Sequence, residues 1–232
     1  MPKSQKFEQN TATYLTPPVL KDSFKAVYKI LKNNKVSSVL DIGCAAGDFL
    51  NFMPSKINAI GIDKSARLIG EAKKRVKKPG VSFIKADILN LNKKIKQNLK
   101  GHFDTITILG TLHAFMDFRP ALDRALTIAP KIILIHSPFN DPPIDARHFH
   151  RESVKDDYQC AYSIFSKQTI SEYLKAKKVS SFDFSPFEMQ NDLAKNDTSP
   201  LRNYHIRLDT GERYLTNGIG IIFKEYILTI RL

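Results

Sequence analysis

One turn of small residues and three acids carry the chemistry that can be read from this chain. The run Val39-Leu40-Asp41-Ile42-Gly43-Cys44-Ala45-Ala46-Gly47-Asp48-Phe49-Leu50 ends an apolar stretch on an acid, turns through small residues and opens a helical pattern. Glycine takes left-handed backbone angles cheaply and lets a backbone come close to a ligand, so such a turn after a strand is a place for a small molecule. Asp63 closes the next apolar run, 20 residues beyond Gly43, where a carboxylate can accept hydrogen bonds from both hydroxyls of a ribose. Asp87 closes the following run in Lys85-Ala86-Asp87-Ile88, at a position suited to the amine of an adenine. A ligand-free tight turn and helix caps, for which Asp is favoured, would explain the turn and one or two of the acids; acids at three consecutive strand ends ask for more.

Two phosphate-binding readings fail on these residues. A Gly-x-Gly-x-x-Gly fingerprint counted from Gly43 needs glycines where Ala45 and Asp48 stand, and an acid there would repel a pyrophosphate. Gly-Lys-Ser and Gly-Lys-Thr do not occur, which removes the P-loop. What remains is a ligand with a ribose and an adenine but no phosphate.

The elements that must hold these residues alternate. Short apolar runs at 36–42, 57–62, 81–85, 103–109 and 131–136 read as strands, with helical patterns at 18–33, 48–53, 65–77, 91–99 and 119–128. A helix at 167–177, a strand at 179–184 and a last strand at 226–231 follow. Alternation of this kind predicts an α/β fold with a parallel sheet. The stretches 138–165 and 187–218 break the rhythm, and loops that long are functional or disordered. The second holds a hairpin signal, Tyr204-His205-Ile206-Arg207-Leu208 before Asp209-Thr210-Gly211. We expect one domain over 1–232, with an N-terminal helical segment at 1–35 and a cap built from 138–166 and 187–218.

Composition fits that picture. The chain has 232 residues, 42% hydrophobic and 25% charged, which excludes disordered, collagenous and coiled-coil classes. Two cysteines make no disulfide framework, and with no apolar leader in the first ten residues the expected location is the cytoplasm. The most apolar stretch, 219–230, is broken by Lys224 and Glu225, so no membrane span is expected. The net charge of +13 lies wholly in the first hundred residues, with 20 basic side chains against 7 acidic; the remainder holds 16 of each. Seven basic residues fall within 64–78 at helical spacing, which reads as a solvated helix face before it reads as a nucleic-acid surface.

In chain order these segments resemble class I S-adenosylmethionine-dependent methyltransferases. The matching residues are Asp41-Ile42-Gly43-Cys44-Ala45-Ala46-Gly47, then Gly61-Ile62-Asp63, Ala86-Asp87-Ile88, and Phe103-Asp104-Thr105-Ile106-Thr107-Ile108-Leu109-Gly110-Thr111-Leu112-His113. The resemblance implies a Rossmann-like, doubly wound, seven-stranded sheet, mostly parallel with an antiparallel last strand, and S-adenosyl-L-methionine as cofactor. It implies that Asp41, Gly43, Cys44, Ala45 and Gly47 line the methionine part, Asp63 and Lys64 the ribose, and Asp87 with Ile88 the adenine. Gly110 and Thr111 would form the floor near the methyl. Two departures stand out: Ala45 replaces the middle glycine, and Ala129-Pro130-Lys131 replaces the usual Pro-Gly-Gly. The segment 187–232 also resembles methyltransferases found with bacterial surface-polysaccharide enzymes.

Methyl transfer from a sulfonium is an in-line displacement helped by orientation and, for a hydroxyl acceptor, by a base. His113 is the first candidate base by position and His148 the second, with His136 and His150 behind them; a histidine simply hydrogen-bonded at a strand end is the competing reading of His113. Asp145, His148, His150 and Asp157 lack a metal-site spacing, so no metal is expected. Cys44 reads as a small buried residue. The fourth strand is followed by Leu109-Gly110-Thr111-Leu112 rather than the Asn or Asp, Pro-Pro and aromatic of adenine N6 enzymes, and Asn140-Asp141-Pro142-Pro143 follows the fifth strand instead. The expected acceptor is a small polar molecule, a sugar or glycan precursor, under a lid with Tyr14, Asn191, Asp192, Arg202, Tyr204, His205 and Arg207 among its residues. RNA methylation and non-catalytic cofactor binding are the alternatives.

Overall fold

The computed structural model describes residues 17–91, 99, 103–151, 155, 157, 159–195, 202–218 and 220–232. Strands β1 (Ser38–Ile42), β2 (Asn58–Asp63), β3 (Val81–Lys85), β4 (Thr105–Leu109) and β5 (Ile132–Asn140) pair in parallel. The last strand, β12 (Glu225–Arg231), runs antiparallel between β5 and β8 (Ser181–Phe187), giving the order β3-β2-β1-β4-β5-β12-β8. This is the doubly wound seven-stranded sheet with a reversed last strand, and it sets the carboxyl ends of β1, β2, β3, β4 and β5 along one edge.

Strand residues alternate between two cores because successive side chains point to opposite faces. Val39, Ala59, Leu134 and Ile227 pack on one face against α1 (Asp22–Asn33), α2 (Asp48–Phe52) and α3 (Ala66–Arg75). Leu40, Ile106, Ile133 and Leu228 pack on the other against α4 (Arg119–Ile128) and α5 (Lys167–Ala176). In α1 the buried Phe24, Val27 and Leu31 recur at helical spacing, each such side chain stabilising the fold by about 1.5–3 kcal/mol. Ser65 and Ser166 cap α3 and α5 by accepting the N–H of Leu68 and Thr169.

The stretch 138–165 is more regular than its composition suggests. β5 runs on to Asn140, and β6 (Ala146–His150) pairs antiparallel with β7 (Gln159–Ser166), which joins β5 through Phe139 and Asn140. The pattern was hidden because Ser163 and Ser166 are fully buried, so β7 does not alternate apolar with polar. The predicted hairpin forms from β9 (Tyr204–Arg207) and β10 (Arg213–Thr216), with Tyr214 opposite Ile206, and β11 (Ile222–Phe223) extends it. Leu215, Ile221 and Phe223 pack this small sheet on Tyr162 and Ile164 of β7. Residues of the two insertions thus pack on one another.

The helix expected at 91–99 and the lid residue Tyr14 lie outside the described residues, apart from Leu91 and Leu99. The basic stretch 64–78 is exposed at Lys64, Arg67, Lys73, Lys74 and Lys77. Arg75 instead reaches Asp48 at 3.5 Å, and the Lys78 ammonium donates to the carbonyls of Asn51 and Met53, tying α3 to α2. Among the described residues no helix is long and apolar enough to cross a membrane.

Candidate active site

The turn after β1 is held in an unusual backbone shape. The N–H groups of Gly43 and Cys44 both donate to the Ile62 carbonyl, at 2.8 and 3.1 Å, and Gly43 has φ +76°. A Cβ on Gly43 would stand 2.3 Å from Thr111 Oγ1, so the close approach of this turn to the end of β4 requires glycine. Ala45 also lies in the left-handed region, at φ +47°, where a Cβ costs about 1–2 kcal/mol. The residue that departs from the usual glycine is therefore a site of stored strain, and its amide is put to use: it donates to Asp63 Oδ2 at 3.0 Å.

Asp63 binds the turn and the start of α3 together, because its Oδ1 accepts from Ser65 N at 2.8 Å. Each carboxylate oxygen keeps a further acceptor site, enough for the hydroxyls of a ribose. Asp87 accepts from Leu89 N at 2.9 Å and caps a single turn, Ile88–Asn90, with Ile88 buried beneath. Asp41 sits lower than the sequence suggests: it is only 3% exposed and accepts from Thr107 Oγ1 at 2.7 Å. Burial pushes its carboxyl up to about 7, with the Thr107 hydroxyl pulling back and Asp63 pushing further. It supports the turn from below. Cys44 is buried and its thiol is pushed up by burial, which makes it a packing residue. Gly110, at φ +65°, has open space where a Cβ would be, and Thr111 Oγ1 donates to the Gly43 carbonyl at 3.5 Å. Lys64 is exposed at the lip beside Asp63.

These residues fit an adenosine with a charged sulfur tail. Backbone groups of the 43–47 turn and the carboxylates of Asp63 and Asp87 stand at adjacent strand tips.

The other half of the edge was barely visible in sequence. His113 stacks on Tyr162 with ring centroids 4.3 Å apart, and its Nδ1 is buried without a hydrogen-bond partner. Burial pushes its imidazole down to about 4, although Glu225 pulls upward. His148 faces Tyr162 across the β6–β7 pair, so the fold brings both histidines singled out from sequence to one tyrosine. His136, buried in β5, has its Nε2 3.4 Å from Glu225 Oε2, and neither atom has another hydrogen-bond partner among the described residues. Glu225 was legible only as an interruption of an apolar run. It also lines a small cavity under the cap together with Phe187, His205, Arg213, Tyr214 and Phe223.

Of the other lid residues, Asp192 pairs with Arg207 and Arg213 at 3.1 Å each, and His205 Nδ1 accepts from Leu193 N. Asp145 accepts from Ser166 N, and Asp141 accepts from Tyr226 Oη and pairs with Lys167. The Asn-Asp-Pro-Pro string is thus a structural anchor.

Residues 33–178 match the family model described as a methyltransferase domain. No curated protein matches the sequence. Among solved structures the chain is similar to the N-terminal domain of EvdMO1 with SAH bound, at 13% identity over 94% of this chain and 83% of that one, TM-score 0.59. It is similar to magnesium protoporphyrin IX methyltransferase (ChlM) from Synechocystis PCC 6803 with bound SAM, at 14% identity over 90% and 78%, TM-score 0.52. It is also similar to Burkholderia thailandensis 1,6-didemethyltoxoflavin-N1-methyltransferase with its substrate and S-adenosylhomocysteine, at 16% identity over 91% and 78%, TM-score 0.53. At these identities the likeness is one of fold, whereas the family model spans every strand tip described above: the chain belongs to the methyltransferase-domain family.

Proposed function

We propose that this methyltransferase moves the methyl group of S-adenosyl-L-methionine to a hydroxyl of a small polar acceptor, a sugar or glycan precursor, held between the sheet edge and the cap. The bound cofactor supplies an electrophilic methyl on a sulfonium, and the protein's task is to align the acceptor and exclude water. Asp63 and Lys64 hold the ribose side, Asp87 and Ile88 the adenine side, and the turn from Gly43 through Cys44 and Ala45 to Gly47, braced by Asp41, the methionine side. Gly110 and Thr111 leave open the space between cofactor and acceptor.

One observation carries the acceptor assignment: Glu225, buried and paired with His136 at 3.4 Å, lines a small cap cavity with Phe187, His205, Arg213 and Tyr214, and His113 Nδ1 is buried with no hydrogen-bond partner among the described residues. Buried polar groups are normally satisfied, so this nitrogen awaits a ligand's hydroxyl. His113 stacks on Tyr162, which stands opposite His148 in the β6–β7 pair. The basic face of α3 packs beside β3, at the far edge of the sheet from β12 and the cap, which disfavours RNA as the acceptor. A chain with two cysteines works without disulfides in a reducing cytoplasm. Incubation with methyl-labelled cofactor and fractionated cell extract tests the assignment: label in the small-molecule fraction is expected, label in RNA would replace it, and no turnover despite cofactor binding would make this a binding protein.

A further inference from the structure

The second half of β5 and the amino end of β12 hold a base and an acid buried against each other. In the antiparallel register Ile227 faces His136 and Glu225 faces Pro138, so His136 and Glu225 stand diagonally on the face that also carries Leu134 and Ile227. Their side chains are each 9% exposed and their nearest polar atoms are 3.4 Å apart. Phe187 packs edge-on against the His136 ring, centroids 4.8 Å apart, and fixes its plane. The carboxylate also faces His113, His205 and Lys21, and His136 faces His113 besides. Burial opposes the charge on Glu225, yet the histidines, His136 first, hold its carboxyl below the usual range. A buried acid and base cost stability that apolar residues of similar shape would not. Their retention where Glu225 lines the cap cavity marks a proton-handling pair.

Building on the methyltransferase reading above, we propose that His136 takes the acceptor's proton and that Glu225 is the positioning residue that orients its ring and stabilises the cation. As the acceptor oxygen bonds to the methyl, the methyl–sulfur bond breaks and its electron pair goes to sulfur; the hydroxyl proton passes to the His136 imidazole, and the positive charge moves from sulfonium to imidazolium beside the Glu225 carboxylate. A base works best with a pKa near the working pH. Burial pushes the His113 imidazole down to about 4 and so favours its neutral form.

Histidine ring NMR on the full chain tests this, with His136 assigned from the signal lost in His136→Gln. Removal of the carboxylate in Glu225→Gln is expected to move the His136 ring signals, and Glu225→Asp to return them part of the way. Label transfer to the active extract fraction should fall about tenfold in Glu225→Gln and recover in part in Glu225→Asp, while His136→Gln cuts transfer by about 10²-fold or more. Calorimetry with S-adenosylhomocysteine should show unchanged affinity in all three variants. Unmoved His136 ring signals in folded Glu225→Gln, or full transfer by His136→Gln, overturn the proposal. Absence of S-adenosylhomocysteine binding in the parent protein would instead strike the cofactor reading, leaving the coupling of His136 and Glu225 measurable by itself.

Discussion

Asp41 and His113 are buried titratable groups whose shifts run in opposite directions, and stability should record both. Asp41 rises from 3.8 to about 7 on folding, so it binds its proton more tightly in the native state; its contribution favours the fold in acid and is withdrawn as pH climbs through about 7. Asp41→Asn keeps an acceptor for Thr107 and removes the titration, so its melting temperature should exceed the parent's at pH 8 and not at pH 5. His113 falls from 6.5 to about 4, so its contribution is complete above 6.5 and is lost as pH drops toward 4. His113→Gln should therefore melt with less acid sensitivity between those limits. The glycine turn offers a second contrast. Gly43→Ala meets Thr111 at 2.3 Å as well as a strained φ, and should cost about 2–4 kcal/mol in chemical denaturation. Ala45→Gly relieves a left-handed alanine and should add about 1 kcal/mol.

At the level of elements, the strands bearing acids were legible because each is a local apolar run closed by a residue that cannot continue it. β3 and α4 fall where the pattern put them, and β1 begins two residues later, at Ser38 rather than Val36. β6 and β7 were not legible, since buried serines erase the alternation by which strands are recognised. Nor could local pattern reveal that Tyr226 of β12 would donate to Asp141, at 2.9 and 3.1 Å, with the Lys167 ammonium 3.6 Å from its ring centroid. That contact locks the last strand to the root of the β6–β7 ribbon. Tyr226→Phe should cost about 1–3 kcal/mol with an unchanged denaturant slope, as expected for one lost hydrogen bond to a charged group.

Across the whole molecule, the proposed cofactor half of the site comes from consecutive strand tips, so motif spacing alone brought Asp63 and Asp87 to one edge. The proposed acceptor half draws on β4, β5, β7, β12 and the cap, residues far apart in the chain whose meeting depends on the reversed last strand. Sequence order therefore singled out His113 and His148 but not Glu225 or Tyr162. The charge asymmetry maps the same way: the basic excess sits on the α3 side, and the cap near Glu225 balances its cations with acids, as Arg207 and Arg213 with Asp192. The central claim is that the turn and the acids beside it hold an adenosine bearing a sulfur tail. It is tested most directly by calorimetric titration of S-adenosylhomocysteine into the parent protein and into Asp63→Ala. One site per chain, weakened at least about tenfold by the substitution, or about 1.4 kcal/mol, is the predicted result; equal affinity in the two proteins, or no binding by a folded parent, would contradict it.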